Sequence, residues 1–275
     1  MTDKVRIAVT ALSWIVWSCL AGSAVVVLPG CAANLAGANM NVDRVTESDE
    51  SEVHKRARLR LELALAYFDK GQTTDALDHL KQSITADPTL FEAYNLRGLI
   101  YMRLNDVPLA EESFRRALSI NPKAATVQHN YGWLLCQQSR YAESSQLFSG
   151  ALANPAYGER AKTWMAQGLC QMKANQLTDA ENSFLRSYEL DAGNPITAYN
   201  LSQLLYQRGE FVRAQFYVRR LNNSELANAE SLWLGIKVER RMENRDATAQ
   251  LSAQLKKRYP QSRENLALER GAFNE

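Results

Sequence analysis

The sequence predicts an all-α fold, a solenoid of six helix–turn–helix repeats, and three observations predict it. A small residue recurs in one register, Ala76, Ala110, Ser144, Ala180, Ala214 and Ala247, at intervals of 34, 34, 36, 34 and 33. Four residues beyond each stands a large apolar side chain, Leu80, Phe114, Phe148, Phe184, Val218 and Leu251, which is the spacing of one helix face. Helix-breaking pairs punctuate the period: Asp87-Pro88, Asn121-Pro122, Asn154-Pro155, Asn194-Pro195 and Tyr259-Pro260. Proline pushes the residue before it out of the α region, so each pair is expected to end a helix.

Within each unit a second small residue lies twelve positions before the first: Ala64, Gly98, Gly132, Gly168, Ser202 and Gly235. Two antiparallel helices are expected to approach there, small side against small side, with Tyr94, Tyr101, Tyr131, Leu135, Leu201 and Leu234 filling the space around the contact. The midpoints, including Lys70-Gly71-Gln72, Leu104-Asn105-Asp106 and Arg208-Gly209-Glu210, supply the polar or glycine residues of a tight turn. Small residues at positions 8 and 20, a large apolar one at 24 and proline near 32 resemble the tetratricopeptide repeat. The six units are 57–90, 91–124, 125–158, 161–194, 195–227 and 228–261; the second matches best, with Tyr94, Gly98, Tyr101, Ala110, Phe114, Ala117 and Pro122 in place. The fourth is expected to have an extended exit, the sixth lacks a glycine at its turn, and residues 262–275 read as a solvating cap. Such repeats stack into a right-handed superhelix whose first helices line a concave face.

Residues 1–30 read as an address. Lys4 and Arg6 precede an uncharged run from Ile7 to Leu28, the pattern of a secretory signal, although the run is also long enough to be an uncleaved membrane anchor. Its end, Leu28-Pro29-Gly30-Cys31-Ala32, resembles the bacterial lipobox, with Pro29 departing from the small residue usual there. That resemblance implies cleavage before Cys31, lipid on its thiol and new amine, handling by the lipoprotein export machinery, and outer-membrane sorting because Ala32 is not aspartate. Residues 31–56 lack periodicity and read as a tether, about 25 to 30 Å across as a flexible coil. With Cys19 removed and Cys31 acylated, Cys136 and Cys170 are the remaining thiols of an oxidising compartment. They fall in the first helices of consecutive repeats, where a disulfide or two buried free thiols are both open.

Composition excludes several functions. At 275 residues, 46% hydrophobic and 23% charged, the chain is neither low-complexity nor a small disulfide scaffold, and its net charge of +2 gives no whole-chain case for nucleic acid. No phosphate-binding glycine motif, H-E-x-x-H, G-x-S-x-G or paired C-x-x-C occurs, so neither an enzyme nor a metal or other cofactor is expected beyond the lipid. His54, His79 and His129 are far apart in sequence, and Glu111, Glu112 and Glu181 read as exposed helix faces.

Two features stand above this background. Positions lining the concavity carry Asn95, Leu99 and Met102, then His129, Trp133 and Cys136, then Met165, Leu169 and Met172, then Tyr199, Gln203 and Tyr206. This is an apolar, aromatic strip suited to a polypeptide partner, or else partly inter-repeat core. Residues 237–263 hold eight basic side chains, Lys237, Arg240, Arg241, Arg245, Lys256, Lys257, Arg258 and Arg263, against Glu239, Glu243 and Asp246. They suit an acidic partner, membrane phosphates or simply a soluble end to the stack. The lipobox, tether and six repeats, with AYNLRGLIYMRLNDVPLAEESFRRALSINP and HNYGWLLCQQSRYAESSQLFSGAL, resemble the type IV pilus biogenesis lipoproteins of the PilF/PilW family. The resemblance implies an outer-membrane pilotin that helps the pilus secretin assemble. The rival adaptor reading is a scaffold for outer-membrane protein assembly or for peptidoglycan enzymes.

Overall fold

A computed structural model describes residues 51–273, and the signal segment, Cys31 and the tether up to residue 50 lie outside the described residues. The described chain is helical throughout. Six hairpins follow one another: α1 (Glu52–Asp69) with α2 (Thr73–Ala86), α3 (Phe91–Arg103) with α4 (Val107–Ile120), and α5 (Ala125–Gln137) with α6 (Tyr141–Leu152). Then come α7 (Arg160–Lys173) with α8 (Leu177–Leu190), α9 (Pro195–Gln207) with α10 (Phe211–Asn222), and α11 (Ala229–Arg241) with α12 (Arg245–Arg258), closed by α13 (Arg263–Arg270). Each first helix touches the first helix of the next repeat, whereas among the described residues no second helix of a hairpin reaches another second helix. The first helices therefore form the inner layer and the second helices the outer one.

The helix α1 begins five residues earlier than the tether assignment allowed. Ser51 caps it by accepting from the His54 amide at 3.2 Å, so residues 52–56 belong to the fold. Every hairpin turn places one residue in the left-handed region: Gly71, Asn105, Ser139, Asn175, Gly209 and Glu243, with φ between 56° and 79°. Glycine meets this demand without strain and asparagine with little, whereas Glu243 in the sixth repeat carries the steric strain of its Cβ.

The small-against-small contact is a socket instead. A Cβ on Gly98 would lie 2.6 Å from the ring of Phe114, and one on Gly168 would lie 2.7 Å from the ring of Phe184. The absent side chain makes room for the aromatic ring of the second helix, and Phe114, Phe148 and Phe184 are completely buried. Where the knob is smaller, at Leu80 or Val218, the socket residue is Ala64 or Ser202 and still fits. Close packing couples the two positions.

One punctuation signal and one exit differ from expectation. Asn194-Pro195 starts a helix: Asn194 accepts from the Thr197 amide at 3.0 Å, and Pro195 sits in the first turn, where its missing N–H costs nothing. The exit of the fourth repeat has an ordinary four-residue length, and the long connection, residues 153–159, follows the third. At the carboxyl end Ser262 caps α13, whose Ala267 and Leu268, with Phe273, cover Leu232, Trp233, Ile236 and Leu255.

Candidate functional site: the concave face

The inner layer is built by the same periodicity that builds the core, so its side chains face two ways. Leu99 and Met102 pack against the cluster around Phe114, Val127 and Leu134. Met165, Leu169, Met172, Tyr199 and Tyr206 pack against the cluster around Phe184, Leu201 and Leu234, and Trp133 rests on Cys136, Phe148, Ala166 and Cys170. All eight are half-buried, with one edge in the inter-repeat core and the other at the surface. Gln203 is half-buried too, and Asn95 accepts from the Asn130 side-chain amide at 3.0 Å.

Two predicted members of the strip are not on it. Cys136 is 1% exposed and joined to Cys170, with their α-carbons 5.7 Å apart, and Ser144 Oγ lies 3.4 Å from Cys170 Sγ. His129 is 5% exposed. Its Nδ1 is 2.8 Å from Thr163 Oγ1, and the Thr163 hydroxyl in turn lies 3.2 Å from the Tyr157 hydroxyl. Burial pushes its pKa down to about 4, with Lys162 adding to the effect and Glu159 opposing it. A neutral, satisfied histidine wedged between the third and fourth repeats is a core residue, not a contact. The other two histidines are also placed structurally: His54 pairs with Asp87, and His79 stacks on Tyr67 at 5.1 Å.

Sequence reasoning missed the row of cations at the end of the inner helices. The guanidinium of Arg103 lies 3.7 Å from the Phe68 ring centre and donates to the Phe68 carbonyl at 2.6 Å. The Lys173 ammonium is 5.9 Å from the Trp133 ring, and the Arg240 guanidinium is 3.6 Å from the Phe273 ring. All three occupy the last turn of a first helix, where a cation also complements the helix dipole. Superposing the repeats in sequence would have shown Arg103, Lys173 and Arg240 in one register, thirteen residues into the unit.

Two carboxylates read as solvated faces are inter-repeat clamps. Glu111 accepts from the Tyr131 hydroxyl at 2.7 Å and from Arg140 at 2.9 Å, and it pairs with Arg115. Burial works against ionising Glu111, but the hydrogen bonds from Arg140 and Tyr131 and the two positive charges outweigh it and hold its pKa below the ordinary value. Glu181, 8% exposed, joins Arg208 and Arg213 of the next repeat. Glu112 is exposed as expected.

An inner layer of apolar edges rimmed by ring-stacked cations, carried on stacked helical hairpins, defines a tetratricopeptide-repeat protein of the polypeptide-binding type. The tetratricopeptide repeat model matches residues 61–125 and 129–195. The type IV pilus assembly protein PilF of Pseudomonas aeruginosa is 31% identical over 204 residues, covering 74% of this chain and 81% of that protein. A crystal structure of PilW, described as a widely conserved type IV pilus biogenesis factor, superposes with a TM-score of 0.69 at 30% identity, over 80% of this chain and 99% of the other. The solved Pseudomonas aeruginosa PilF gives a TM-score of 0.74 at 29% identity, over 80% and 100%. The chain belongs to the PilF/PilW family of tetratricopeptide-repeat type IV pilus biogenesis factors.

Proposed function

We propose that the protein is a pilotin: an adaptor, lipidated at Cys31 and held at the periplasmic side of the outer membrane, that captures the type IV pilus secretin and promotes its oligomerisation. No catalytic step is needed for this role. The observation that carries it is the concave strip of Leu99, Met102, Trp133, Met165, Leu169, Tyr199 and Tyr206, a half-covered apolar surface spanning four repeats in a chain of the PilF/PilW family. Trp and Tyr offer large rigid area at low entropic cost, and Met adapts its shape to the guest. Several acyl chains on Cys31 would give an attachment that resists salt and alkaline extraction, which one chain does not.

Deletion of the gene tests the role: heat-stable secretin multimers and twitching motility are expected to be lost. Trp133→Ala and Tyr206→Ala test the surface. Each is expected to keep its helical melt while weakening secretin capture by about 2 kcal/mol. Normal multimers in the deletion strain would remove the pilotin reading, and unchanged capture by both folded variants would remove the groove. Cys31→Ser is expected to leave the folded domain intact but mislocalised, and a wild-type protein that begins at Met1 and carries no acyl mass would contradict the lipid anchor.

A further inference from the structure

The last inner helix carries an arrangement the apolar strip does not use. Lys237, Arg240 and Arg241, near the end of α11, converge with Tyr206 and Phe273 on a cleft of about 220 Å³. That space holds one side chain, not a drug-sized molecule. The two guanidiniums are positioned by rings: Arg240 lies 3.6 Å from the Phe273 centre and Arg241 lies 5.9 Å from Phe211. The Lys237 ammonium lies 5.7 Å from both Tyr206 and Trp233. A ring face attracts a guanidinium without occupying its N–H edge, so such a cation keeps its donors for a guest.

Glu239, the carboxylate between these cations in sequence, does not line the cleft. It is 1% exposed and turned to the opposite side of α11. There it accepts from Arg219 at 2.6 Å, Gln215 at 2.9 Å and Asn244 at 3.0 Å. Neither Arg240 nor Arg241 has a carboxylate partner among the described residues. Glu230 and Glu264 act instead at Tyr199, about two helical turns before Tyr206 on α9, where burial first and then these two charges raise the phenol's pKa. The Arg240 and Arg241 guanidiniums, adjacent in sequence and both on the cleft, repel each other, and an anionic guest relieves that repulsion.

We propose that this cleft is a carboxylate subsite for a polypeptide partner, taking an aspartate or glutamate side chain that follows the apolar segment seated on the strip. The assignment rests on the reading of the concave face as the partner groove and adds a direction to it, with the partner's acidic end at the sixth repeat. A recess between helices on the inner layer admits a side chain, whereas a flat bilayer surface meets exposed outer faces first. Polypeptide is therefore the occupant favoured over anionic lipid.

The test uses a fluorescent, carboxy-amidated dodecapeptide with leucine and phenylalanine in its first half and three glutamates at its end, compared with its glutamine isostere. At low ionic strength, about 50 mM, exposed charges are weakly screened. Wild-type protein is expected to bind the glutamate peptide about tenfold more tightly, equivalent to about 1.4 kcal/mol. In the Arg240→Gln, Arg241→Gln double variant this preference is expected to fall below about threefold, while Arg220→Gln, whose guanidinium lies over Tyr188 on the outer helices, retains it. Equal affinity of wild type for the two peptides would overturn the subsite. So would a double variant that keeps the preference, or one that loses only binding to phosphatidylglycerol vesicles. Secretin capture is measured in parallel. Capture that depends on Trp133 without any peptide preference removes the subsite and leaves the adaptor; capture by neither route removes both.

Discussion

The third and sixth repeats share one 34-residue plan and are held together by different chemistry. In the third, the completely buried Phe148 fills the socket at Gly132, and His129, the Cys136–Cys170 link and Ser144 tie the repeat to the fourth. In the sixth, Gly235 faces the Asn222 amide at 2.5 Å and Leu251 at 3.2 Å, measured from the position of an added Cβ. The sixth depends on a polar network around Glu239 and turns through the strained Glu243. A repeat with neighbours on both sides can bury apolar surface against each of them. In the sixth repeat the side chains that α10 presents, Gln215, Arg219 and Asn222, are polar, so buried hydrogen bonds stand where the third repeat has an aromatic ring.

The largest expected effect separates the two repeats directly. Phe148→Ala empties a completely buried socket and is expected to cost about 3–5 kcal/mol, whereas Leu251→Ala, at a half-buried knob, is expected to cost about 1–2 kcal/mol. Urea melts of the two variants measure the gap, and equal losses would break the contrast. Opening the disulfide comes next. The link spans 34 residues of sequence, and its chain-entropy contribution is about 3–4 kcal/mol. Reduction is expected to lower the melting temperature of wild type but not of a Cys136→Ala, Cys170→Ala variant. Two alkylatable thiols before reduction would show that the link does not form in the isolated protein.

A smaller effect comes from His129. The unfolded imidazole takes its proton near 6.5 and the folded one near 4, so this group's contribution is complete above pH 6.5 and declines as pH falls. The slope approaches about 1.4 kcal/mol per pH unit, and the loss between pH 6.5 and 5 is about 1.5 kcal/mol. Denaturant melts over that window, above the range where most carboxylates titrate, are expected to show the decline in wild type and not in His129→Gln. The smallest effect is a gain. Glu243→Gly relieves a left-handed non-glycine residue and is expected to add about 0.5–1 kcal/mol, bringing the sixth turn into line with Gly71 and Gly209. A loss of stability there would show that the glutamate side chain does more than tolerate the turn.

Much of the site was legible in sequence and part was not. The half-buried strip from Leu99 to Tyr206 followed from repeat register alone, because position in a stacked hairpin sets which way a side chain points. His129 shared that register and was nevertheless buried, since the Tyr157 and Thr163 side chains that receive it come from the long connection and the next repeat. Glu111 and Glu181 looked like solvated faces because their partners, Arg140 and Arg208, lie 29 and 27 residues away. No local pattern reports a pairing at that distance.

By itself the sequence determined the number of hairpins, their turns and the inner face, because a 34-residue period, a 3.6-residue helix and proline punctuation are local constraints that each repeat satisfies alone. Only the tertiary structure decided that glycine at position eight is a socket for an aromatic ring, that Asn194-Pro195 opens a helix, and that Glu239 faces inward, leaving Lys237, Arg240 and Arg241 around one cleft. Those outcomes depend on which repeat stacks on which and at what offset, and packing between neighbours, not the period, sets that offset.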